Sequence, residues 1–162
     1  MSAVDDYFKN NEEYAHTHLG GLPSAPSRHV AVVACMDARL DILPVLGMKG
    51  GEAHVIRNAG GAVTDDVIRS LVISQRLLGT REIMLIHHTD CGMQKTTEDT
   101  FKAAVEADTG IRPPWAVETF TDAAADVRQS IGRLRTSPFL PHKDAIRGFV
   151  FDVSDGKLNE VN

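Results

Sequence analysis

The chain has 162 residues, 43% of them apolar and 24% charged, the balance of one globular domain and not of a disordered, collagen-like or low-complexity polymer. Its 17 Lys and Arg against 22 Asp and Glu leave a formal charge of −5 with no block of like charges, so the electrostatic footprint of a nucleic-acid binder is missing. The longest apolar run, Val30 to Met36, has seven residues, far short of the ~20 of a membrane helix; with a start that lacks the basic and apolar parts of a secretory leader, the expectation is a cytoplasmic protein with no membrane partner.

In chain order, Asp5 to about His18 reads as a polar, moderately amphipathic helix stopped by Gly20-Gly21 and followed by Pro23 and Pro26. Its few apolar residues cannot make a core of their own. Val30 to Ala34 is an unalternating β-branched and apolar run, the pattern of a strand buried on both faces of a parallel sheet. A short helical stretch around Leu40 to Leu46 and the breaker Gly50-Gly51 lead to a second strand, about Ala53 to Arg57, which ends in the tight loop Asn58-Ala59-Gly60-Gly61. Thr64 before Asp65 and Asp66 is an N-cap with an acidic first turn, and Val67, Ile68, Leu71, Val72 and Leu78 carry a helical period up to Gly79. A third strand, Ile83 to about His87, is followed by helical patterns near Thr97 to Ala107 and Asp122 to Arg135, with Pro113-Pro114 between them. A last strand, about Ile146 to Val153, meets the hairpin signal Asp155-Gly156 and pairs with Lys157 to Val161. The expected architecture is a single α/β domain over residues 1–162: a mostly parallel sheet flanked by helices, closed by an antiparallel edge strand, with an extended N-terminal helix.

Two cysteines in a chain expected in a reduced compartment do not make a disulfide framework, so their neighbours decide their role. In open parallel sheets ligand sites form outside the carboxyl ends of the strands. Two such ends carry Cys35-Met36-Asp37-Ala38-Arg39 and His88-Thr89-Asp90-Cys91. Two thiolates and one imidazole are a zinc ligand set, and three protein ligands leave a fourth position for water, as in catalytic sites. Asp37 either occupies that position or governs it. Because two thiolates cancel the charge of Zn²⁺, a water bound there is acidified less than beside three imidazoles and needs raised pH or a helper group. Arg39 can hold Asp37 in a bidentate pair and free the metal. Gly92, without a side chain, lets a backbone N–H approach a substrate oxygen.

Cys-x-Asp-x-Arg and His-x-x-Cys, each after a strand and separated by Arg57-Asn58-Ala59-Gly60 and a long helix, resemble the β-class carbonic anhydrases from about Val30 to the terminal hairpin. The resemblance implies Cys35, His88 and Cys91 as ligands of Zn²⁺, with Asp37 alternating between the metal and Arg39. It implies hydration of CO₂ to bicarbonate and a proton by zinc-bound hydroxide, with activity rising on the alkaline side as hydroxide displaces Asp37. It further implies a homodimer or dimer of dimers, the arm of residues 1–26 packing on the partner subunit. Hydrolysis of a CO₂ analogue, carbon disulfide or carbonyl sulfide, and a non-catalytic zinc-stabilised assembly protein are the alternatives. The tryptophan that some members place soon after Cys-x-Asp-x-Arg is missing: Leu40, Asp41 and Ile42 stand there, and the one tryptophan is Trp115.

The remaining candidates read as structural. Asp90 is expected as a loop cap, Arg57 as an anchor of the sheet edge or of subunits, and His87, by strand alternation, on the face opposite His88. Arg128, Arg133 and Arg135 read as a solvated helix face, and His16, His18, His29, His54 and His142 as surface or capping groups.

Overall fold

The computed structural model describes residues 2–18 and 20–162. Five strands, β1 (Val30–Cys35), β2 (Ala53–Asn58), β3 (Glu82–His88), β4 (Ile146–Phe151) and β5 (Leu158–Val161), form one sheet in the order β2-β1-β3-β4-β5. All neighbours are parallel except β4 and β5. Among the described residues five α-helices accompany it: α1 (Ala3–Thr17), α2 (Ile42–Val45), α3 (Asp65–Leu78), α4 (Glu98–Thr109) and α5 (Ala123–Thr136). None of these helices is long and apolar enough to cross a membrane.

The β-branched run of β1 sits in the sheet interior with residues 31–35 buried. Strand alternation sends its side chains into two cores. Ala31 and Val33 pack with Ile83, Leu85, Val67 and Leu71 under α3 and α5, while Val32 and Ala34 pack with Ile86, Leu40, Ile42 and Phe151 on the other face. Each such fully buried Val, Leu or Ile contributes ~1.5–3 kcal/mol. Gly148 of β4 faces α5, where an added Cβ would lie 2.1 Å from Val127 Cγ1; only glycine lets this helix seat at that depth.

Local chemistry sets the helix ends. Thr64 accepts from the Val67 N–H and Gly79 takes the left-handed conformation (φ 74°), so α3 spans the residues its period predicts. α1 begins earlier than expected, because Ser2 and Asp5 form a reciprocal capping box. The helical stretch expected over Leu40 to Leu46 shrinks to four residues: Leu40 N–H bonds to the Asp37 carbonyl in a turn, and its side chain is consumed by the core. None of α1's described residues is buried. The segment expected to carry this arm away starts at Leu19, which lies outside the described residues.

The chain runs from β1 to β2 on one side and then crosses to β3 on the other. β1 and β3 therefore flank the topological switch point, where their carboxyl ends open a crevice.

Candidate metal centre

β1 ends at Cys35 and β3 at His88, and because these strands are hydrogen-bonded neighbours the two following loops face each other. Cys35, His88 and Cys91 are all buried, and their ligand atoms lie within 4.8 Å of one another; the two sulfurs are 4.0 Å apart. His88 Nδ1 lies 2.8 Å from the Thr89 carbonyl. A carbonyl only accepts, so Nδ1 carries the proton and the lone pair of Nε2 is turned into the site. That Nε2 is buried without a hydrogen-bond partner. An orphaned imidazole nitrogen beside two thiols is what a Cys₂His metal set leaves when its atoms converge, and the donors fit Zn²⁺.

Asp37, expected both as ligand and as gate, stands beside this group and outside it. Arg39 donates from Nε to Asp37 Oδ1 (2.9 Å), from Nη2 to Oδ2 (2.8 Å) and from its backbone N–H to Oδ1 (2.9 Å). Asp37 Oδ2 remains 3.7 Å from His88 Nε2. The Arg39 guanidinium and backbone N–H hold this carboxyl well below the usual carboxylate range, so it is ionised throughout the neutral and alkaline region. The thiols diverge. Burial raises Cys35, but the adjacent His88 imidazole and the backbone at Asp37 and Gly60 outweigh it and bring Cys35 down to about 7. Burial, with the nearby Cys35, pushes Cys91 up to about 11. His88 is raised chiefly by the adjacent Cys35.

One expectation changes at this point and another gains its partners. Asp90 is not a loop cap: its Oδ2 accepts from Arg39 Nη1 (2.8 Å) and its Oδ1 pairs with Lys95 Nζ (2.7 Å). Arg57, on the edge strand β2, ties that edge to its neighbour: Nε donates to the Cys35 carbonyl (3.0 Å) and Nη2 to the Asp37 carbonyl (2.7 Å), so it clamps the first ligand loop. Both contacts join residues 20 or more positions apart, which no local pattern marks. Arg133 is also more than a solvated group, because it pairs with Asp65 and Glu118. His87 does lie opposite His88, buried, with Nε2 donating to Asp126 Oδ2 (2.7 Å) and its ring on Phe120.

Gly61 (φ 68°) lies so close beneath the site that an added Cβ would be 2.9 Å from the Cys35 nitrogen. A cavity of about 490 Å³ opens beside the ligand loops, walled in part by Met36, Ala62, Gly92, Met93, Phe101 and Trp115. Trp115, distant in sequence, thus comes to the mouth of the site and packs against Phe101 in a tilted contact with centroids 6.3 Å apart.

A family model described as carbonic anhydrase matches residues 30–158. The chain is 62% identical to Beta-carbonic anhydrase 1 of Mycobacterium tuberculosis over 161 residues, 99% of each chain. Its fold superposes on a carbonic anhydrase from Streptococcus mutans with a TM-score of 0.94 at 44% identity, covering 100% of this chain and 99% of that one. A Carbon disulfide hydrolase of Acidithiobacillus thiooxidans is 32% identical over 96% of this chain and 87% of its own. A parallel α/β sheet with a Cys-His-Cys centre at its switch point defines a metalloenzyme class. Within that class, the chain belongs to the β-carbonic anhydrase family of enzymes.

Proposed function

We propose that this enzyme interconverts CO₂ and bicarbonate, with Zn²⁺ held by Cys35, His88 and Cys91. The observation that carries the proposal is the convergence of these three donors beside a carboxylate that Arg39 restrains from joining them. Bound there, Zn²⁺ supplies the Lewis acidity that makes a water molecule nucleophilic. Asp37, ionised and with Oδ2 3.7 Å from His88 Nε2, would accept a hydrogen bond from such a water and so orient it. Arg39 keeps Asp37 an acceptor. Released from Arg39, Asp37 has only a short way to move to complete a four-residue ligand set and close the site, so the pair acts as the gate. The apolar wall of Met36, Ala62 and Met93 suits a small uncharged substrate, and Gly92, exposed with nothing within 4 Å of an added Cβ, offers its N–H to a substrate oxygen.

Stopped-flow CO₂ hydration on zinc-replete protein at about pH 8 to 9 is the test. Activity should vanish with a chelator and return with Zn²⁺; a rate no higher than buffer rejects the reading. Hydrolysis of carbon disulfide is the second reading, favoured by the relatives of that name. Its substrate is likewise small, linear and apolar. The higher identity to a Beta-carbonic anhydrase supports CO₂ as the first reading, and sulfide release from carbon disulfide in the same preparation separates the two.

We also propose that the chain works as a homodimer or dimer of dimers. α1 turns Val4, Tyr7, Phe8 and Tyr14, each 61 to 77% exposed, toward solvent. Four large apolar side chains on one unburied helix are a surface that a second copy covers.

A further inference from the structure

We infer that Asp90 is the positioning residue of the Arg39–Asp37 pair: it fixes the guanidinium so that Asp37 is held on Arg39 and out of the ligand group. The inference deepens the gate proposed above and rests on that reading for its activity arm alone.

Arg39 is two residues from Asp37 on the same loop, and its side chain is 48% exposed. A long, half-exposed arginine beside its own neighbour has many rotamers, and an exposed ion pair of this kind holds little by itself. The opposite loop supplies what is missing. Arg39 Nη1 donates to Asp90 Oδ2 (2.8 Å) and Nη2 donates to the Asp90 carbonyl (3.1 Å). Together with Asp37, Asp90 occupies four of the five N–H directions of the planar fork, so the guanidinium can neither rotate nor swing out without breaking charge-assisted bonds. Lys95 on the outer oxygen of Asp90 completes an alternating row, Asp37, Arg39, Asp90, Lys95, with no net charge. Asp90 therefore does not have to draw Arg39 away from Asp37 to find a cation.

The backbone points the same way. Asp90 has φ 54°, one of three non-glycine residues in the left-handed region among the described residues. That conformation aims both its carbonyl and its carboxylate across the crevice at Arg39. It disfavours most side chains, while Asp, Asn and Gly tolerate it. Asp90→Asn and Asp90→Gly are accordingly variants that keep the loop: the first retains a neutral acceptor, the second removes the side chain.

The direct measurement is hydrogen exchange at Arg39 Nε by ¹⁵N NMR on the full-length protein, assigned with Arg39→Lys. Asp90→Asn should exchange faster than the parent and Asp90→Gly faster still, by about tenfold for loss of one charge-assisted bond. In the zinc-loaded enzymes, CO₂ hydration should fall in the same order while each chain retains one zinc. Unchanged Arg39 Nε exchange in Asp90→Gly overturns the inference, whatever happens to the rate. Loss of zinc in both variants together with unchanged exchange also overturns it, because Asp90 then serves the ligand loop alone. A parent without CO₂ hydration, but with the exchange series in the expected order, defeats the proposed function and leaves the positioning role standing.

Discussion

At the scale of single residues, the proposed gate makes Asp37 and Arg39 the pair that sets the response to pH. Arg39 holds Asp37 well below the usual carboxylate range, so it does not titrate in the neutral and alkaline region; under the proposal, a rise of activity with pH comes from the water or from the exchange of carboxylate for hydroxide. Arg39→Ala removes the alternative partner and should leave Asp37 free to complete the ligand set. Zinc content is then unchanged while CO₂ hydration drops roughly 10²-fold, the usual cost of losing a positioned catalytic group. Asp37→Ala should keep the position open but lose the acceptor, so its rate falls and its pH profile changes shape. Zinc-edge absorption between about pH 7 and 9 checks the exchange itself: a constant first shell beneath rising activity would falsify the gate. Gly61 tests the scaffold under the ligands. Gly61→Ala combines a left-handed backbone with a Cβ 2.9 Å from the Cys35 nitrogen, and should destabilise the fold by about 2 kcal/mol or more and lower zinc occupancy, read by thermal unfolding and metal analysis.

Elements carry the next level. α4 holds the segment that brings Trp115 to the cavity: the Glu98 carboxylate pairs with Lys102 (2.8 Å) and accepts the Val117 N–H (2.9 Å). The Lys102 contact first, then the Val117 N–H, lowers the Glu98 pKa. A carboxyl whose pKa is depressed on folding stabilises the structure above its unfolded pKa, ~4.3, and that contribution is lost as pH falls through the folded value. The segment should loosen on the acid side and be fully held at neutral pH. Trp115 is the single tryptophan, so its fluorescence reports this without interference: emission should move to the red below about pH 4, and Glu98→Gln should show part of that change already at pH 7. An identical acid transition in Glu98→Gln would assign the change to another group.

For the whole molecule, the question is what covers α1. Its described residues contribute nothing to the core, yet it is well capped and exposes a row of aromatic side chains. Removal of residues 1–18 should leave the melting of the sheet domain nearly unchanged and weaken the proposed dimer, seen as concentration-dependent sedimentation. A truncated chain that sediments as the same dimer at every concentration removes the arm from the interface.

The sequence by itself carried the strand and helix order, the caps of α3, the two ligand loops and the family. These signals are local: β-branched runs, a threonine before two aspartates, a glycine after the last helical turn, and short motifs at strand ends. Neither the shortening of α2, nor the roles of Asp90 and Arg57, nor the arrival of Trp115 at the cavity is written locally. Leu40 leaves the helix because the core takes its side chain. Asp90 meets a guanidinium 51 residues away, and Arg57 meets carbonyls 20 and 22 residues away. Such contacts exist only after β1, β2 and β3 lie side by side and bring their loops to one crevice. The residue types that can bind a metal were legible in the chain, whereas tertiary structure decided which carboxylate is held away from it and by what.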